Sequence, residues 1–347
     1  MPVGQGCLVG NLSYLAFGRE VTYGTYATCT SGINFLSASL KTTKEVKVLE
    51  EIQTSRTNSN SIQLGKTVEG EAEFYFSPKN PACNYLLQNA FGGGPVISAT
   101  ATGETIGGLA FTHQIDIANF AATYSSLSAN MRKGQVTDGK IFEYTGLRVN
   151  ELTIKAELDE ALICSIGMIG KNSTVTSNDV SSVLTTLTQE PLSFVNGRLS
   201  IETTNALTTS SYWLIESMEF KLSNNLSGDQ RNIGSDVIQC LPAGMAKPEL
   251  KCKIRFDTTT AYDAMMNGTR FYGEFEFLGN TLAGSKIREG LKVSMPYLLI
   301  TEAGDPEVGG PNEILSSEVS FTILRDASSA TGYAVRSFVT NLASSYA

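Results

Sequence analysis

The chain has one histidine, His113, so a Ser-His-Asp or Cys-His relay would have to run through it. It lies inside a strand-like stretch, Phe111 to Ile117, with no nucleophile motif around it, which is the pattern of a hydrogen-bonded structural histidine. A single histidine excludes a histidine-rich metal site, and no acidic calcium-loop spacing is present. Cys7, Cys29, Cys83, Cys164, Cys240 and Cys252 are scattered without C-x-x-C spacing and read as buried free thiols of a protein folded in a reducing cytoplasm. Gly92-Gly93-Gly94 follows a helical stretch and lacks a Lys-Ser/Thr partner, so it reads as a helix stop and not a phosphate loop. Carboxylates are too numerous to single out a pair, and the sequons at Asn172 and Asn267 are of the kind chance supplies. No catalytic residue, cofactor or metal is expected, and the chain reads as a non-enzyme.

Its polar side chains fall instead on the faces of alternating strands. Glu69, Glu71, Glu73 and Tyr75 share one face, with Gly70, Ala72, Phe74 and Phe76 on the other. Glu219 lies in the alternating run Met218 to Leu222. Glu249, Lys251, Lys253 and Arg255 oppose Leu250, Cys252, Ile254 and Phe256, and Glu274 and Glu276 alternate with Phe271, Gly273, Phe275 and Phe277. Two of these stretches echo each other: Ser217, Phe220, Lys221, Glu249 and Phe256 fall on Ser37, Leu40, Lys41, Glu69 and Phe76, each 180 positions apart. The chain reads as an internal duplication in which Glu71 and Glu73 are replaced by Lys251 and Lys253. Opposite charge at matching positions suits a ring in which one copy sits beside the other and unlike charges meet.

The elements around these faces are mainly β. Thr, Ser, Gly and Asn abound, hydrophobic residues make up 41% and charged residues 17%. A length of 347 residues suits two domains. The expected organisation is an N-terminal arm at 1–35, a first module at 36–175, a linker at 176–195, and a second module at 196–347 whose tail from Ala327 is an arm. Short helices are expected at Asn80 to Phe91, where Pro81 sits in the first turn, and at Thr258 to Asn267. Residues 95–109 read as a mobile loop, and 301–312 as a loop rich in Gly and Pro. Leu291 to Met295 reads as a strand ended by Pro296. Thr42 to Thr67, carrying Lys44, Glu45, Lys47, Glu50, Glu51 and Arg56, is too long for a plain connection and is expected to project as a hairpin or loop. The formal net charge of −8 argues against nucleic acid gripped through its phosphates but permits it to pass. No apolar run approaches the roughly 20 residues of a membrane span, and the start lacks a signal-peptide pattern.

From Phe17-Gly18-Arg19-Glu20-Val21-Thr22-Tyr23-Gly24-Thr25 through the β unit, the charged loop and the Asn80 to Phe91 helix, the chain resembles the major tail tube proteins of long-tailed bacteriophages. Ser217-Met218-Glu219-Phe220-Lys221-Leu222-Ser223-Asn224-Asn225-Leu226, with the loop, strand and short helix after it, resembles that family's recurring unit. The resemblance implies two tandem tube modules, each a β-sandwich or half-barrel with a flanking helix. It also implies a virion tail subunit that assembles in the host cytoplasm. Three such chains would form a ring of pseudo-sixfold symmetry, and rings would stack through long loops. The lumen would hold the tape-measure protein before DNA passes, and terminator and baseplate proteins would meet the tube's ends. Glu69, Glu71, Glu73, Glu219, Glu249, Lys251, Lys253, Arg255, Glu274 and Glu276 are the candidates for lumen or inter-subunit contacts, and the six charged residues of the 42–67 segment for ring stacking. A β-sandwich binding module, such as a capsid decoration or receptor-binding tail component, and a carbohydrate-active β enzyme are the competing readings.

Overall fold

The computed structural model describes residues 10–344 except 53, 55, 95, 104–109, 118–124, 135–138, 185–189, 205–206, 208–210, 257–258, 305–314 and 328–331. In chain order the elements are β1 (Tyr14–Arg19), β2 (Ser31–Ile33), β3 (Ser37–Ala38), β4 (Lys41–Val48), β5 (Ser61–Tyr75), α1 (Pro81–Ala90), β6 (Ile97–Thr100), β7 (Phe111–Asp116), β8 (Leu127–Lys133), β9 (Lys140–Glu157), β10 (Ile163–Gly170), β11 (Asn172–Thr176), β12 (Gly197–Glu202), β13 (Tyr212–Trp213), β14 (Ile215–Ser223), β15 (Lys247–Arg255), α2 (Thr260–Asn267), β16 (Arg270–Thr281), β17 (Arg288–Ala303), β18 (Ser316–Ile323) and β19 (Arg336–Asn341). The chain is mainly β, and every ladder among the described residues is antiparallel.

One sheet runs through both halves of the chain in the order β4-β5-β10-β9-β14-β15-β18-β17. Behind it lie two smaller groups, β2-β1-β8-β9-β11 and β13-β12-β16-β17-β19-β7-β6. β9 and β17 belong to both layers. Each is long enough, at 18 and 16 residues, to leave one group and enter the main sheet. β9 makes the passage at Gly146, whose φ of 67° only glycine adopts without strain. β17 makes it at Pro296, where the ladder with β16 slips. Pro296 therefore does not end a strand, as its sequence context suggests. It redirects one.

The alternation fills a shared core. Phe74, Ile154, Phe220, Leu250 and Phe321 point inward from the main sheet to meet Leu15, Phe17, Phe275 and Val293 from the groups behind. α1 is packed into this core: Asn80 accepts from the Ala82 amide at 2.8 Å, Pro81 follows, and Leu86, Leu87 and Ala90 are buried. α2 buries only Ala264, leaving Tyr262 and Met266 exposed.

Several expected boundaries differ. Residues 14–33 are not a free arm, because β1 is buried along most of its length and pairs with both β2 and β8. Residues 1–9 lie outside the described residues. Glu20 anchors the turn after β1: its carboxylate accepts from the Gly24 and Gly146 amides, both at 2.8 Å, and from the Ser126 and Ser128 hydroxyls at 2.6 and 2.8 Å. The linker region packs as well, with Val180 in a cluster with Tyr14, Ala16 and Cys29. The tail is not an arm over its whole length, since β19 is sandwiched between β17 and β7. The stretch 95–109 is not all loop: β6 pairs with β7, and so a hairpin from the first half extends a sheet of the second. The loop expected at 301–312 lies largely outside the described residues.

Candidate functional site: the outer face of the main sheet

The side of the main sheet turned away from the core carries eight of the ten residues predicted for lumen or inter-subunit contacts. Glu69, Glu71 and Glu73 line β5, Glu219 sits on β14, and Glu249, Lys251, Lys253 and Arg255 line β15. The sheet brings these eight onto one surface because each occupies the outward phase of its strand. Glu274 and Glu276 are not among them. They lie on β16 in the layer behind, Glu274 within 3.5 Å of Lys292 and Glu276 paired with Arg198.

The expected pairing of Glu71 and Glu73 with Lys251 and Lys253 is not made within the chain. β10, β9 and β14 stand between β5 and β15, a distance no side chain spans. Charges do meet at the seam between β9 and β14. Seven consecutive residues of β14, Ser217 to Ser223, pair with Glu157 to Glu151 of β9. Across it Lys221 lies 3.3 Å from Glu151, while Glu219 is directly opposite Lys155 on one side and Lys251 on the other. Gly167 leaves a depression between Glu71 and Glu151, part of a concavity of about 280 Å³ that Glu73, Lys155 and Lys221 also line. On β15, Lys253 and Arg255 share Glu216, at 3.5 and 3.4 Å. Outward on β5 stand three carboxylates, Glu69, Glu71 and Glu73, whereas β15 carries one, Glu249, beside the cations Lys251, Lys253 and Arg255.

Glu151, Lys155 and Glu216 were missed by the sequence reading. The outward alternation of Glu151, Thr153, Lys155 and Glu157 was visible, but nothing in it says that β14 is the neighbour.

Ladder register repeats between the halves. Ser37, Lys41 and Thr43 oppose Glu73, Glu69 and Thr67, and Ser217, Lys221 and Ser223 oppose Lys253, Glu249 and Lys247. The β9–β10 ladder skips Asn150 between Glu151 and Val149, and the β17–β18 ladder skips Thr301 between Glu302 and Ile300. One difference is local. Gly70 has φ 157°, and a Cβ there would stand 2.6 Å from the Leu40 Cα, so glycine admits the bend between β3 and β4 that buries Leu40.

β4 and the start of β5 form the expected projecting hairpin, exposed along all of β4. Lys44 reaches Asp236 at 3.1 Å, and the Arg231 guanidinium donates to the Lys66 carbonyl, so the 224–247 loop braces the hairpin's base. Glu45, Lys47, Glu50, Glu51 and Arg56 are exposed or nearly so further out, with Glu51 accepting from Asn60. Val46, Val48, Ile52 and Ile62 are exposed among them.

His113 is buried between Ser98 and Asn341, and burial holds its pKa below the ordinary value. Burial pushes the thiols of Cys29, Cys83 and Cys252 up to about 12, far from the thiolate that chemistry needs. Among the described residues no cluster of His, Cys, Asp or Glu suits a metal ion, and no helix is long and apolar enough to cross a membrane. A face of paired strands with exposed ladder edges is suited to joining other copies of itself.

The family model for phage tail tube protein matches residues 10–323. The chain belongs to that family. As a phage tail tube protein it is a structural component of the viral tail, and family membership implies self-assembly into a tube. The match takes in the buried β1, the hairpin, the seam and β18, and so spans both halves. No curated protein matches the chain.

Proposed function

We propose that this tail tube protein is a duplicated module that closes into rings of three chains, and that the rings stack into the channel through which phage DNA leaves. The repeated ladder register supports the duplication, with modules at about 36–175 and 196–347 sharing strands through β6 and β7. The observation that carries the ring is the β9–β14 seam, where the end of one half's sheet continues into the start of the other. A sheet that continues so from half to half can continue from chain to chain by the same geometry, and a head-to-tail contact that closes gives a ring. With eight strands from each chain, three chains make a barrel of about 24 strands. At ~4.8 Å between strands this gives a diameter of roughly 37 Å before tilt.

The outward face of the main sheet then becomes the lumen. Its carboxylates on β5, with Glu219 and Glu249, repel phosphates, and Lys155, Lys221 and Lys253 each have a carboxylate partner, so DNA passes without being held. The tape-measure protein occupies the channel first, and terminator and baseplate proteins contact the tube's ends. Assembly takes place in the host cytoplasm. The 41–66 hairpin reaches the next ring, offering Val46, Val48 and Ile62 beside Lys47 and Glu45.

Negative-stain microscopy with native mass spectrometry of the purified protein tests this. Stacked rings with a channel and a ring mass of three chains are expected. A chain that stays monomeric under all assembly conditions overturns the tube and favours a binding module. Replacing residues 45–60 by a short turn should leave single rings that do not elongate. Normal tubes from that variant would remove the hairpin from stacking.

A further inference from the structure

The repeated register makes the seam a template for a contact the single chain cannot make. β14 corresponds to β3 and β4, since Lys221 opposite Glu249 matches Lys41 opposite Glu69. The end of β9 corresponds to the end of β17, since each ladder skips one residue and resumes at Glu151 or Glu302. β9 has β10 on one side and β14 on the other, but Glu302 and Ala303 pair only with β18 among the described residues. Among the described residues β3 and β4 likewise pair only with β5. Two unfilled edges of one sheet thus match, position for position, the two strands that already meet within the chain.

Resting on the ring reading above, we propose that a second copy of this chain lays its β3–β4 edge along the end of β17. This sets Thr43 opposite Glu302 and Thr42 opposite Ala303, and Lys41 and Glu302 form between chains the ion pair that Lys221 and Glu151 form within one. Charge complementarity favours that occupant: Lys41 and Glu302 are both exposed and of opposite sign, as are their counterparts. The two joints differ on the core side. Leu222 opposite Leu152 closes the internal seam, both fully buried, whereas the joint between chains has Thr42 opposite Ala303. The internal seam forms with the fold, and the less apolar joint forms only on assembly.

Cross-linking and charge reversal test this. A chain with Thr42→Cys and Ala303→Cys, and with Cys7→Ser and Cys240→Ser to remove competing thiols, is assembled and oxidised. A non-reducing denaturing gel is expected to show a ladder ending at three chains, because directly opposed residues lie within disulfide reach. Lys41→Glu or Glu302→Lys alone should raise the protein concentration needed for assembly about fivefold, the equivalent of ~1 kcal/mol for an exposed pair. The double reversal should restore it. Rings that form normally without the cross-link, or reversals without effect, overturn this joint and leave the tube reading standing. Failure of the wild-type chain to form any ring overturns both.

Discussion

Lys221 Nζ stands 3.3 Å from Glu151 Oε2 on the outward side of the seam, while Leu222, the next residue, is fully buried against the core beneath it. The two sides of one joint therefore do different work. Both partners of the ion pair are more than 40% exposed, so water screens them and the pair contributes less than about 1 kcal/mol. Leu222 loses its packing altogether if truncated. Lys221→Ala is expected to shift the urea midpoint of unfolding barely, and Leu222→Ala to cost about 2–5 kcal/mol. Equal effects would mean that the seam is held by charge.

Glu20 should matter to stability far more than a lone turn glutamate does. It is 8% exposed and takes four hydrogen bonds, two of them from backbone amides. Glu20→Ala leaves those donors unsatisfied and is expected to cost about 3 kcal/mol in denaturant unfolding. Glu20→Gln keeps the shape but turns an NH₂ toward N–H groups, and should cost an intermediate amount.

His113 sets an acid sensitivity. Burial lowers its folded pKa, so the unfolded chain takes up the proton first. The stability this gives is present above the ordinary value near 6.5 and is lost as pH falls through the lowered folded value. Urea midpoints measured from pH 7.5 downward should decline more steeply for the wild type than for His113→Gln. Parallel declines would show that another group controls the acid limb.

Thiol titration separates surface from core. Cys240 is exposed and should react with an aromatic disulfide reagent in the native protein. Cys29, Cys83, Cys164 and Cys252 are buried with raised pKa values and should react only after denaturant is added. Rapid reaction of all of them under native conditions would mean that the core opens readily.

The sequence by itself determined the β character, the inward and outward phases of β5, β14, β15 and β16, the α1 helix with its Asn80-Pro81 start, and the projecting hairpin. Each of these follows from a period or a local backbone preference, which a short window of residues carries. It also set Lys41 and Lys221, and Glu69 and Glu249, 180 positions apart in stretches of like pattern. Only the tertiary structure decided which strands are neighbours, because pairing between distant strands depends on the whole packed core. That is why Glu71 and Glu73 stand three strands short of reaching Lys251 and Lys253, and why Glu274 and Glu276 belong to another layer. It is also why β1, β6 and β19, polar or short in sequence, are strands of the fold: β19, for one, is held against β7, whose residues lie up to 230 positions away.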